Sequence, residues 1–128
     1  MTVATARAGI AAQFSTIVPC TPAMPSTIAS YPAAWVAWPT LIRRHTLDGG
    51  LYVAVDVVIA VDRNDDQAAQ ARLDTLLGDG LLGVLDTPVP GCLAAAITDI
   101  AEFHTATVGD TPVIACRCRV ELYTPATT

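Results

Sequence analysis

Between Leu51 and Val61 every second residue is a large aliphatic: Leu51, Val53, Val55, Val57, Ile59 and Val61 alternate with Tyr52, Ala54, Asp56, Val58 and Ala60. A helix would scatter these residues around its circumference, whereas a strand gathers them on one side. The segment therefore predicts a long β-strand with one buried face. A second segment, Val113 to Tyr123, repeats the pattern, with Ile114, Cys116, Cys118, Val120 and Leu122 on one side. Arg117, Arg119 and Glu121 share the other side with Val113, Ala115 and Tyr123. Two long strands of this kind need a sheet and something to cover its apolar face.

The remaining segments supply that cover. Residues 2–14 predict a helix, with Thr2 as a cap and alanines interrupted by Gly9, short and peripheral to the core. Residues 19–32, PCTPAMPSTIASYP, hold four prolines and read as an extended arm, incompatible with a helix or a central strand. In AAWVAWPTLIRRHTL a short edge strand is expected, stopped by Pro39, and Asp48-Gly49-Gly50 predicts a hairpin into the 51–61 strand. After Asp62, an acidic start leads into a helix from about Asp65 to Leu77 with Ala69, Leu73, Leu76 and Leu77 as its apolar stripe, ended by Gly78. A short helical piece at Leu81 to Leu85 and a turn with Pro88 and Pro90 precede a third long strand from Ala94 to Thr107. The expected fold is α+β: a mostly antiparallel sheet of about four strands with helices packed on one face, residues 1–128 forming a single domain. Its parts are a helix over 1–18, the arm over 19–32, the core over 33–124 and a tail over 125–128.

At 128 residues the chain is long enough for a true core, and its 52% apolar content with only 5% aromatics makes that core one of small and branched side chains. All seven basic residues are arginine against twelve acids, a formal charge of −5, which opposes phosphate binding by the domain as a whole. No stretch reads as a membrane span or a signal peptide, so no membrane partner is expected and an intracellular origin is.

Chemistry-bearing groups are sparse. Cys116 and Cys118 fall on the core side of their strand and, with Cys20 and Cys92, lack the spacing of a zinc site; buried thiols are expected. His45 and His104 read as structural or exposed, and a thiol nucleophile at Cys20 or Cys92 would need the fold to deliver His104. Asp62, Asp65 and Asp66 lack calcium-loop spacing and read as a solvated helix start. No cofactor, no metal and no catalytic residue are expected. What remains is surface: Trp35 and Trp38, three apart in a strand and so on opposite sides, one of them exposed; Arg43 and Arg44, a polar rim; and Arg117, Arg119 and Glu121. Exposed Trp beside Arg is the composition of an interface. These seven residues are the candidate contacts.

The order of a first helix, YPAAWVAWP, LYVAVDVVIAV, RNDDQAAQARLDTLLG and ITDIAEFHTATVGDTPVIACRCRVELYT, spanning roughly residues 5 to 124, resembles the tail terminator (tail completion) proteins of long-tailed phages. The resemblance implies a structural virion protein and not an enzyme. Its subunits would close into a homo-oligomeric ring, expected to be a hexamer, at the head-proximal end of the tail. Assembled in the host cytoplasm, the ring would cap the tail tube protein, stop tube growth and offer the surface on which the head-tail connector protein docks. DNA would pass its lumen without specific binding, a passage suited to acids such as Asp62, Asp65, Asp66 and Asp79. Alternative readings are a head-to-tail connector or minor capsid component and, from another class, a small thiol enzyme or ligand-binding domain using Cys92 or His104.

Overall fold

In the computed structural model, residues 3–23, 31–44, 50–62, 66–78, 81, 89, 94–108 and 110–124 are described. The elements run α1 (Val3–Phe14), β1 (Cys20–Thr21), β2 (Ala33–Arg44), β3 (Leu51–Asp62), α2 (Asp66–Leu76), β4 (Ala94–Val108) and β5 (Thr111–Thr124). All five strands form one sheet in the order β1-β2-β3-β5-β4. The fold is α+β, as the alternation of the two longest signals requires.

The sheet departs from the expected one in having five strands and mixed direction. β2, β3, β5 and β4 are antiparallel to their neighbours, but β1 runs parallel to β2, matching Cys20 to Ala34 and Thr21 to Trp35. Cys20 and Thr21 lie between Pro19 and Pro22, which leaves room for two paired residues and hides them from any period-two signal. Part of the proline-rich arm is thus built into the sheet; its residues 24–30 lie outside the described ones.

The expected stop at Pro39 does not occur. β2 continues to Arg44, with register shifts on either side of Pro39 where it faces Val55. β1 covers only Ala34 and Trp35, so Pro39 sits on a stretch of strand with one neighbour among the described residues and irregular pairing, the setting in which a strand tolerates proline. Arg44 opposite Leu51 completes the predicted hairpin, although its turn, with His45 and Asp48, lies outside the described residues.

Both helices cover the same face of the sheet. Ala6, Ile10 and Phe14 of α1 and Ala69 and Leu73 of α2 share one core with Val53, Val55, Val57, Ile59 and Val61 and with Ile114, Cys116, Cys118, Val120 and Leu122. The two strands are in register, Val57 opposite Cys118 and Val55 opposite Val120, so their apolar sides add into one surface. Contrary to the peripheral helix expected from the sequence, α1 is part of the core: Ile10 and Phe14 are fully buried, each contributing about 1.5–3 kcal/mol. Alanine on every side of this helix conceals the stripe at 6, 10 and 14 that packs.

β3 also differs from the expected strand with a single buried face. Its other side carries Ala54, Val58 and Ala60, and a second, smaller cluster forms there from Trp35, Val58, Ala60, Val108, Val113 and Ala115. The central place of β3 between two long neighbours buries its small side chains from both flanks. α2 matches its prediction to within a residue at each end, while of the piece at 81–85 Leu81 alone is described, and it is buried.

Candidate functional site

The side of the sheet away from the helices is divided into an apolar half and a charged half. Strand pairing sets the division: Val58 and Ala60 of β3 lie beside Arg117 and Ala115 of β5, whereas Asp56 and Ala54 lie beside Arg119 and Glu121. The apolar half holds Trp35, 5% exposed, so of the two tryptophans this one is core. Trp38 is 80% exposed, and the Arg7 guanidinium from α1 stacks over its ring at 5.2 Å. Arg7 Nη2 also donates to the Val36 carbonyl at 3.1 Å, tying α1 to β2.

A groove of about 500 Å³ opens beside these residues, lined by Trp35, Trp38, Val58, Val113, Ala115 and His104 among others. The His104 ring is exposed and its Nδ1 lies 2.6 Å from the Glu102 carbonyl of its own strand.

On the charged half, Arg117 joins two neighbouring strands. Its Nη1 lies 3.3 Å from Asp56 Oδ2 and its Nε 2.9 Å from Glu102 Oε2. Glu102 reaches this position from a backbone φ of 57°, at a register shift of β4 between Ala101 and His104. Asp99 and Arg119 border the same shallow pocket. Farther along, Tyr52 donates from its hydroxyl to Glu121, stacks edge-on with Tyr123 at 5.3 Å and lies under the Arg43 guanidinium at 4.7 Å. The Glu121 carboxylate accepting from Tyr52, helped by burial, holds that phenol above its ordinary range.

The structure therefore brings four of the seven candidate contacts, Arg43, Arg117, Arg119 and Glu121, onto the open face. Arg44 is exposed at the end of β2, Trp38 lies beside α1, and Trp35 is inside. Sequence reasoning missed Tyr52, Asp56, Asp99 and Glu102. The parity of β3 and β5 would have found Tyr52 and Asp56, since their neighbours Tyr123 and Arg119 share that side; Glu102 depends on a local shift that no period announces.

Compared with known protein families and with curated proteins, the chain matches none.

The described thiols differ: the hydrogen bond between Cys116 and Cys118 lowers the Cys116 thiol and raises its partner, while both lie sealed in the core. Cys116 and Cys118 are fully buried, as expected from their side of the strand, and Cys118, hydrogen-bonded to Cys116, is pushed well above the usual thiol range. Burial pushes Cys20 up to about 12. A reactive thiolate needs both a lowered pKa and access to solvent; Cys20 and Cys118 lack the first and Cys116 the second. Cys92 lies outside the described residues. Among the described residues no three His, Cys, Asp or Glu gather as metal ligands, and no helix is long and apolar enough to cross a membrane. Asp62 pairs with Arg72 at 2.6 Å, while Asp65, Asp79 and the side chain of Asp66 lie outside the described set.

Proposed function

We propose that this chain is a structural assembly subunit without enzymatic activity, a tail terminator of a long-tailed phage whose copies close into a ring, expected to be a hexamer, at the head-proximal end of the tail tube. In this reading the ring stops tube growth and presents the surface on which the head-tail connector docks, and DNA crosses its lumen without being held. The observation that carries it is the exposed strip on β2, where Trp38, Leu41 and Ile42 are 80%, 41% and 46% exposed and are followed directly by Arg43 and Arg44. An isolated subunit that leaves such a strip in water gains by covering it, and an aromatic with flanking arginines is the composition of a contact surface.

Light scattering during size-exclusion chromatography, followed by negative-stain imaging, tests this. Rings in the purified chain, or rings formed on addition of tail tube protein that end tube elongation, are the expected result. A chain that stays monomeric with tube protein and leaves tube length unchanged rejects it. Rings that bind connector protein but leave tube length unchanged would favour a head-to-tail connector.

The groove beside Trp35 and Trp38 favours a second reading, a ligand-binding domain. Its size suits a small molecule, and its apolar floor with Arg7 and His104 at the wall resembles a binding cleft. Saturable shifts of the tryptophan fluorescence by a small-molecule panel, in a chain that remains monomeric, would support that reading over the ring.

A further inference from the structure

The sheet ends on two strands, each with a side that has little or no partner among the described residues. β2 meets β1 only at Ala34 and Trp35, leaving Ala37 to Arg44 without an outer neighbour, and β4 pairs with β5 alone over Ala94 to Val108. An unpaired edge of this length is a template for another strand. The two edges differ in chemistry. β2 carries Arg43 and Arg44 and no acid; β4 carries Asp99 and Glu102 and neither arginine nor lysine. Each also exposes an apolar residue, Trp38 on β2 and Phe103, 57% exposed, on β4.

Direction and geometry agree with the charges. Three antiparallel steps separate β2 from β4, so the two edge strands run in opposite senses. Copies related by rotation about an axis inclined to the strands would present β2 of one beside β4 of the next in antiparallel orientation, staggered along the strands. Such a contact joins two different patches, the kind of contact that makes a ring when the rotation between copies closes. Within one subunit Arg43 is level with Ala94, through Tyr52 and Tyr123. Bringing Arg43 level with Asp99 takes an offset of about five residues, roughly 17 Å at strand spacing, a stagger of the kind that tilted strands impose on closed sheets.

We propose that the Ala37–Arg44 edge of one copy pairs antiparallel with the β4 edge of the next, Arg43 facing Asp99 across the junction, with Arg44 and Glu102 adding opposite charge to either side of that pair. The inference rests on the ring reading above and names its contact. Charge reversal tests it, since each copy uses both edges. The R43E/R44E chain and the D99R/E102R chain should each lose rings by light scattering, with the concentration for half-assembly raised about 100-fold or more. An equimolar mixture should regain them, because each variant's β2 then matches the other's β4. Circular dichroism confirms that each variant is folded; should D99R/E102R misfold, D99R alone serves, as it keeps the Glu102–Arg117 pair. Rings that survive both reversals, or folded variants that fail to assemble on mixing, overturn the edge pairing while leaving the ring reading standing. A wild-type chain that forms no ring alone or with tube protein overturns both.

Discussion

Gly9 of α1 lies so close to Val89 that a β-carbon there would stand 2.8 Å from Val89 Cγ1. The glycine in this helix is therefore a packing residue, admitting Val89 against the helix backbone. Its propensity cost of about 1 kcal/mol relative to alanine is offset by that approach. Gly9→Ala should fail to stabilise the chain and Gly9→Leu should destabilise it by about 1–3 kcal/mol in urea denaturation. Combining Gly9→Ala with Val89→Ala should be less damaging than the sum of the two, a coupling that a double-mutant cycle reads directly. Additive effects would show that the two residues do not press on each other.

Phe14 tests the place of α1 in the core. It is fully buried among strand and helix residues, so Phe14→Ala should cost about 3–5 kcal/mol. A helix lying outside the core would lose less than about 1 kcal/mol on the same change. Calorimetry distinguishes the two.

Glu102 occupies a left-handed backbone conformation that glycine adopts freely and that costs other residues about 1–2 kcal/mol. Its pair with Arg117 is largely exposed and is worth about 0–1 kcal/mol. Glu102→Gly should thus leave stability within about 1 kcal/mol of wild type, whereas Glu102→Val, which loses the pair and keeps the strain in a β-branched side chain, should be clearly destabilising. If the glycine variant proved the weaker of the two, the backbone argument would be wrong.

Alkaline stability depends on several groups held protonated, Cys20, Tyr31, Tyr52 and Cys118, of which two suit substitution. The Cys20 thiol is raised from 9.0 to about 12 by burial, and the Tyr52 phenol is raised by its hydrogen bond to Glu121. A raised pKa in the folded state gives stability that is complete below the unfolded value and disappears as pH climbs through the folded one. Stability should hold to about pH 9 and then fall. Cys20→Ala should flatten the fall between about 9 and 12, and Tyr52→Phe should remove a further part above pH 10. Urea midpoints measured from pH 8 to 11 give the slopes; an unchanged slope in both variants counts against this account.

Strands β3 and β5, and the side of each that meets the helices, are legible because a strict period of two over eleven or more residues has few competing explanations. α2 was equally legible, since charge at its start and leucines at helical spacing agree. α1 misled because alanine packs without raising contrast between faces, and β1 because two residues between prolines carry no period. The apolar half of the open face escaped notice for a related reason: Val58, Ala60 and Ala115 are small enough to read as tolerated surface until Trp35 closes over them. Of the candidate contacts, Trp38 could not be told from Trp35 by alternation alone, because both lie on β2 and the register slips between Val36 and Pro39.

The hydrogen bond from Arg7 to the Val36 carbonyl has a further effect on β2. Ala34 turns its N–H outward to Pro19, and Val36, two residues on, presents its carbonyl on the same side. With that oxygen occupied by a guanidinium, a visiting strand can run along β2 from Arg44 back to Ala37 and no farther. In the proposed edge pairing Arg7 would act as a ruler, limiting the seam to the eight residues Ala37 to Arg44, or roughly 27 Å, and keeping an incoming chain from displacing β1.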